Sequence, residues 1–227
     1  MKAIDRDGDL GASTSQSSEQ IRTWTGDFGR EYTDRNSHGP EELNQFYRQT
    51  YGITRTALNE RSLEGIPRDA RILEVGCNLG AQMLVLQQMG FANLYGIEIQ
   101  SYALERARQR LPQAVVTQAS AFSIPHADGF FDLVFTSGVL IHIAPADLPV
   151  ALAEIHRCTK RWIWGFEYFA PITTEVVYRG HKALLWKTDY ARLYLQQFRD
   201  LEQVREERFR YLDTDNVDTA FLLRRKP

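Results

Sequence analysis

The pattern of apolar positions changes about a third of the way along the chain. In residues 40–60, Leu43, Phe46, Tyr47, Tyr51 and Leu58 recur at spacings that share one helical face. Pro40 suits a first turn, and Glu41 and Glu42 suit the positive end of a helix dipole. One helix is predicted there. From residue 70 short apolar runs alternate with helical stripes. Strands are predicted at 71–75, 94–98, 114–117, 131–136 and 161–168. Helices are predicted at 81–89, closed by Gly90, at 101–110, and at 146–158 on the stripe Leu148, Ala151, Leu152, Ile155. Two last strands, 201–211 and 218–223, flank the polar turn Asp213-Thr214-Asp215-Asn216 and read as an antiparallel hairpin.

Alternating strands and helices bury both faces of a parallel sheet, and right-handed crossovers make it doubly wound. The expected fold is therefore α/β and Rossmann-like. It has a mostly parallel seven-stranded sheet, helices on both faces and a C-terminal antiparallel hairpin. In such sheets ligands bind beyond the carboxyl ends of the strands.

Composition narrows the function classes. The 227 residues carry 27 Lys and Arg against 29 Asp and Glu, a formal charge of −2, with no basic stripe for nucleic acid. No apolar run reaches the roughly 20 residues of a membrane helix. The first twenty residues lack the apolar stretch of a secretory signal and read as a mobile polar tail. Cys77 and Cys158 form neither a disulfide framework nor a metal-ligand spacing, so a cytoplasmic, metal-free protein is expected.

The chemistry gathers in Glu74-Val75-Gly76-Cys77-Asn78-Leu79-Gly80, where a strand turns into a helix. A pyrophosphate loop needs G-x-G-x-x-G, and this loop has G-x-x-x-G behind a carboxylate. Glu74 at its entrance disfavours phosphate and suits a ligand with a cationic amino-acid end and an adenosine end. Glu98, at the second strand end and 18 residues past Gly80, is placed to accept ribose hydroxyls. Ile99 follows it. Ser120, Ala121 and Phe122 end the third strand near an adenine, and Ser137 ends the fourth. S-adenosyl-L-methionine, leaving as S-adenosyl-L-homocysteine, fits this set, with Glu74, Gly76, Cys77, Asn78 and Gly80 forming its loop.

This order of motifs resembles the class I S-adenosylmethionine-dependent methyltransferases over about residues 70–170. Ser120 stands where many members carry an acid. Three further segments, GDFGREYTDRN (26–36), GVLIHIAPADLP (138–149) and EYFAP with YRGHKALLWKTDYA (167–171 and 178–191), resemble the methylases associated with pseudaminic acid biosynthesis. That resemblance implies a small polar or sugar-derived acceptor. A natural-product acceptor and a noncatalytic partner protein with a Rossmann fold are the alternatives. It also divides the chain into a tail (1–20), a helical lid or cap (21–66) and a methyltransferase domain (67–227).

His142, just after strand four, is the candidate base, and Glu167 at the end of strand five a second catalytic group. Tyr32, Arg35 and Asn36, with Gly26 and Gly29 as hinges, form a candidate lid over the cofactor. Tyr168, Arg179 and His181 are candidate acceptor contacts, Arg179 through a carboxylate. The expected partner is a small acceptor, with no nucleic acid and no membrane, and the chain acts as a monomer or homodimer.

Overall fold

A computed structural model describes the main chain of residues 13–226 and the side chains of residues 19–226. Four helices come first: α1 (Ser13–Thr25), α2 (Asp27–Arg35), α3 (Pro40–Tyr51) and α4 (Arg55–Ser62). The sheet follows, with β1 (Arg71–Val75), α5 (Ala81–Gln88), β2 (Asn93–Glu98), α6 (Ser101–Arg110), β3 (Val115–Gln118), β4 (Phe131–Ser137), α7 (Leu148–Cys158) and β5 (Thr159–Tyr168). A two-stranded ribbon, β6 (Thr174–Glu175) with β7 (Trp186–Lys187), precedes α8 (Tyr190–Gln197). The chain closes with β8 (Leu201–Arg210) and β9 (Val217–Arg225).

The strand order is β3-β2-β1-β4-β5-β9-β8. The first five strands run parallel, and β9 enters antiparallel beside β5. The expected seven-stranded Rossmann-like sheet with its C-terminal hairpin is borne out. Side chains alternate across it. Ile72, Leu133, Phe135, Trp162, Trp164, Ala220 and Leu222 pack into the core on one face with α3, α4 and α5. Leu73, Val134, Ile163, Phe221 and Leu223 pack into the other with α7 and α8. Burial on both faces explains why the strands are nearly continuous apolar runs.

One expectation is corrected, and two others gain detail. Residues 40–60 are two helices, because Gly52 ends α3 in the left-handed region at φ 74°. The Thr54 hydroxyl then caps α4 by accepting from the Ala57 amide at 3.1 Å. Of the expected tail, residues 1–12 lie outside the described residues, and 13–20 form the first half of α1. Gln20 anchors that half, donating to the Ala183 carbonyl at 3.0 Å and accepting from the Ala144 amide at 3.2 Å. Residues 27–35 form α2, within the expected helical cap. A Cβ on Gly29 would meet the Trp24 carbonyl at 1.9 Å, so Gly29 is the close contact between α2 and the end of α1.

Candidate active site

A cavity of about 630 Å³ opens above the carboxyl ends of β1, β2 and β4, roofed by α1 and α2. The β1–α5 loop shapes one end. The Gly76 and Cys77 amides both donate to the Ile97 carbonyl, at 2.9 and 3.0 Å. Gly76 sits at φ 70°, and a Cβ would lie 2.8 Å from Val139 Cγ2. Only glycine suits both demands. Asn78 follows at φ 46°, a region asparagine tolerates.

Two carboxylates meet at this end. Glu98 accepts from the Asn78 amide through Oε2 at 2.8 Å and from the Gln100 amide through Oε1 at 2.9 Å. Burial raises its pKa, while the amides of Gln100, Asn78 and Ile99 pull the other way. The amides fix its orientation and leave lone pairs over for a ligand. Glu74 is 4% exposed, and burial pushes its carboxyl well above the usual range, opposed by the nearby Arg55. Its Oε2 and the Asn78 Oδ1 are buried without a hydrogen-bond partner, and both residues line the cavity. Such atoms cost free energy unless a ligand donates to them. A ligand with an ammonium group and ribose hydroxyls meets these acceptors, so the residues present fit S-adenosylmethionine.

His142 lines the cavity from the 3₁₀ turn Leu140–His142. Its Nδ1 is 2.8 Å from the Leu184 carbonyl, which can only accept, so Nδ1 carries the hydrogen. Burial lowers its pKa to about 4, which keeps the ring neutral at pH 7 with a free lone pair on Nε2. Trp24 packs on it with centroids 4.4 Å apart, and Tyr178 and Tyr32 lie at 5.5 and 6.2 Å. The roof is tied to the cofactor end through Gln100. Its Nε2 donates to the Trp24 carbonyl at 2.9 Å, and its Oε1 accepts from the Thr33 hydroxyl at 3.1 Å.

Of the residues expected at the site, Glu74, Gly76, Cys77, Asn78, Glu98, Ile99, Ser120, Ala121, Phe122, Ser137 and His142 line the cavity. So do Tyr32, Arg35, Asn36, Tyr168 and Arg179, with Arg35 and Arg179 exposed. Three do not. Gly80 lies beneath the loop, where a Cβ would meet Leu111 Cδ1 at 2.2 Å. His181 packs edge-on against Phe28 at 5.3 Å and bridges to Tyr178, which itself lines the cavity. Glu167 turns away from the cavity and accepts from the Val139 and Ile141 amides at 3.2 and 3.4 Å. It clamps the loop that carries His142. Burial raises its pKa to about 7 against the pull of Thr136 and these amides.

The far end of the cavity was missed. Tyr47 and Tyr51 from α3, Tyr211 after β8 and Asp218 on β9 line it beside Tyr168. Behind them Arg55 is fully buried. It donates through Nε to Asn59 Oδ1 at 2.8 Å and through Nη1 to the Tyr47 hydroxyl at 2.5 Å and to Ser137 Oγ at 3.3 Å. Its guanidinium also lies about 5 Å from the Tyr47, Trp164 and Phe166 ring centroids. A charged residue within an amphipathic helical stretch gives no sign of burial, so no sequence signal marked it.

Residues 73–162 match the model of a methyltransferase domain family. A curated relative, an uncharacterized methyltransferase of Synechocystis sp., is 36% identical over 90 residues, which is 40% of this chain and 42% of that protein. The chain spans about two fifths of the length of the curated relatives it matches. Among solved structures, the 1,6-didemethyltoxoflavin-N1-methyltransferase of Burkholderia thailandensis, with bound 1,6-didemethyltoxoflavin and S-adenosylhomocysteine, aligns at a TM-score of 0.71. It is 15% identical, over 100% of this chain and 99% of that one. The magnesium protoporphyrin IX methyltransferase of Synechocystis PCC 6803 aligns at 0.66 and 14% identity, over 98% and 100%. These likenesses establish the methyltransferase fold around the cavity. Among the described residues no helix is long and apolar enough to cross a membrane.

Proposed function

We propose that the chain is an S-adenosylmethionine-dependent methyltransferase whose acceptor is a small polar metabolite or a sugar derivative. The observation that carries this reading is one cavity holding, at one end, an amide-oriented carboxylate (Glu98) and two unpartnered buried acceptors, Glu74 Oε2 and Asn78 Oδ1. S-adenosylmethionine, when bound, supplies a methyl group already activated on a sulfonium. Glu98 accepts from the ribose hydroxyls and Glu74 from the ammonium group. Ser120, Ala121 and Phe122 border the adenine, and Ser137 lies where β4 ends.

The remaining residues position the acceptor and exclude water. His142 offers Nε2 to an acceptor proton, and the Leu184 carbonyl holds the ring in the required tautomer. Glu167 positions His142 through the loop amides. Tyr32, Arg35 and Asn36 on the roof of α1 and α2 close over the bound pair. Arg179 at the rim is suited to an anionic group of the acceptor. The resemblance to the pseudaminic-acid-associated methylases supports a sugar acid, handled by a cytoplasmic monomer or homodimer that acts on no nucleic acid. The aromatic walls support a second reading, a flat natural-product acceptor comparable to the 1,6-didemethyltoxoflavin of the Burkholderia enzyme.

Calorimetric titration with S-adenosylmethionine, S-adenosylhomocysteine and NAD tests the proposal. Binding of both sulfur nucleotides and not NAD is expected. Failure of both to bind would remove the central reading.

A further inference from the structure

Asp218 is a buried carboxyl with one oxygen left unpaired. It is 2% exposed on β9 and lines the far end of the cavity. Its Oδ2 accepts from the Tyr51 hydroxyl at 2.6 Å and from the Tyr211 hydroxyl at 3.3 Å. Burial pushes both hydroxyls up, so both stay protonated and donate. Its Oδ1 is buried with no hydrogen-bond partner. Burial raises the Asp218 carboxyl to about 6, against the pull of Tyr51, Tyr211, Lys187 and Arg55.

Neither neighbouring cation hydrogen-bonds to it. Lys187 donates to Asn216 Oδ1, and its ammonium lies 5.5 Å from the Tyr168 ring centroid. Arg55 donates through Nε and Nη1 to Asn59, Tyr47 and Ser137; its Nη2 is buried without a hydrogen-bond partner, and its charge acts on Asp218 with no hydrogen bond between them. Around Asp218 the rings form a wall. Tyr51 and Tyr211 meet edge to face at 4.9 Å, Tyr168 and Tyr211 at 6.1 Å. The other buried acids lining the cavity, Glu74 and Glu98, belong to β1 and β2, and its two lining arginines, Arg35 and Arg179, are exposed.

An unpaired carboxylate oxygen inside an aromatic wall is chemistry that recognises a cation with N–H donors. A neutral hydroxyl would satisfy Oδ1 without using the rings' attraction for charge, and an anion would be repelled. We propose that this end of the cavity is a subsite for a protonated amine of the acceptor, with Asp218 as its counter-ion and Tyr51, Tyr168 and Tyr211 as its walls. The assignment to the acceptor rests on the methyltransferase reading above. Asp218 thereby selects amine-bearing acceptors from their hydroxyl and carboxylate counterparts.

The test is a calorimetric titration of the full chain, free and saturated with S-adenosylhomocysteine, near pH 8 so that carboxylate and amine are both charged. The probes are benzylamine, benzyl alcohol and benzoate, matched in ring and differing in the polar group. The expected result is at least a tenfold preference for benzylamine in the wild type. Asp218→Asn should abolish that preference while leaving S-adenosylhomocysteine affinity within twofold, and Tyr168→Leu should reduce it severalfold. Equal affinity for amine and alcohol in the wild type, no measurable amine binding, or a preference that survives in D218N each overturns the proposal. The wild-type comparison needs no variant to fold. Loss of S-adenosylhomocysteine binding alone would sink the cofactor reading, and the titration of the free chain would still judge the amine subsite.

Discussion

At one end of the cavity the surface is made by backbone. The amides of Asn78 and Gln100 hold Glu98, and Gly76 leaves room for Val139, all within one strand–helix–strand unit and the loop after β4. At the other end it is made by side chains that meet across the chain. Tyr51 and Asp218 are 167 residues apart, and Arg55 and Ser137 are 82 apart. The first end binds a ligand whose parts are constant, so a local motif suffices. The second must match one particular acceptor, and that shape comes from α3, α4, β5 and the C-terminal hairpin packing together. The cost also differs. Backbone amides orient Glu98 at little expense, whereas Arg55 and Asp218 are charges withdrawn from water and stable only while their partners hold.

That contrast can be broken in order of expected effect. Replacing Arg55 by Met removes a buried charge that acts on Glu74 and Asp218 and leaves Tyr47, Asn59 and Ser137 without its hydrogen bonds. Loss of a buried charge partner of this kind costs about 3–5 kcal/mol. Denaturant unfolding measures it, and a loss below about 1 kcal/mol would mean that the acceptor end is not held by this charge.

Glu167 gives a pH-dependent effect between the two ends. Its folded pKa of about 7 lies above the usual 4.5, so the native state holds a proton that the unfolded state releases. Its contribution to stability therefore falls as pH rises from about 4.5 to about 7 and is level beyond, a change of about 3 kcal/mol. His142 works in the opposite sense. Its pKa of about 4, below 6.5, makes stability rise across about pH 4 to 6.5. The difference in unfolding free energy between the wild type and Glu167→Gln isolates the first effect. It should slope in Gln's favour through that window, and a flat difference would show that Glu167 is already ionised in the fold.

The smallest effect sharpens the comparison. Glu98→Ala should weaken S-adenosylhomocysteine binding by about 1–3 kcal/mol, the scale of lost hydrogen bonds to a charged group. Stability should change less than in the Arg55 variant, because Glu98 is oriented by backbone that folds without it. Unchanged calorimetric affinity would strip Glu98 of its place in the ligand site.

The sequence by itself determined the order of strands and helices, the parallel sheet with its antiparallel hairpin, and the loop from Glu74 to Gly80 with Glu98 beyond it. These depend on short-range periodicity and on turn chemistry that a few adjacent residues specify. Only the tertiary structure decided that Glu167 turns onto the loop amides and not into the cavity, that the helical stripe at 40–60 breaks at Gly52, and that Arg55 is buried. It also decided that Tyr51, Tyr168, Tyr211 and Asp218 share one wall. Those facts depend on which side of the sheet a distant segment lands, and a polar residue in an amphipathic stretch reads the same whether it meets water or an unpaired partner.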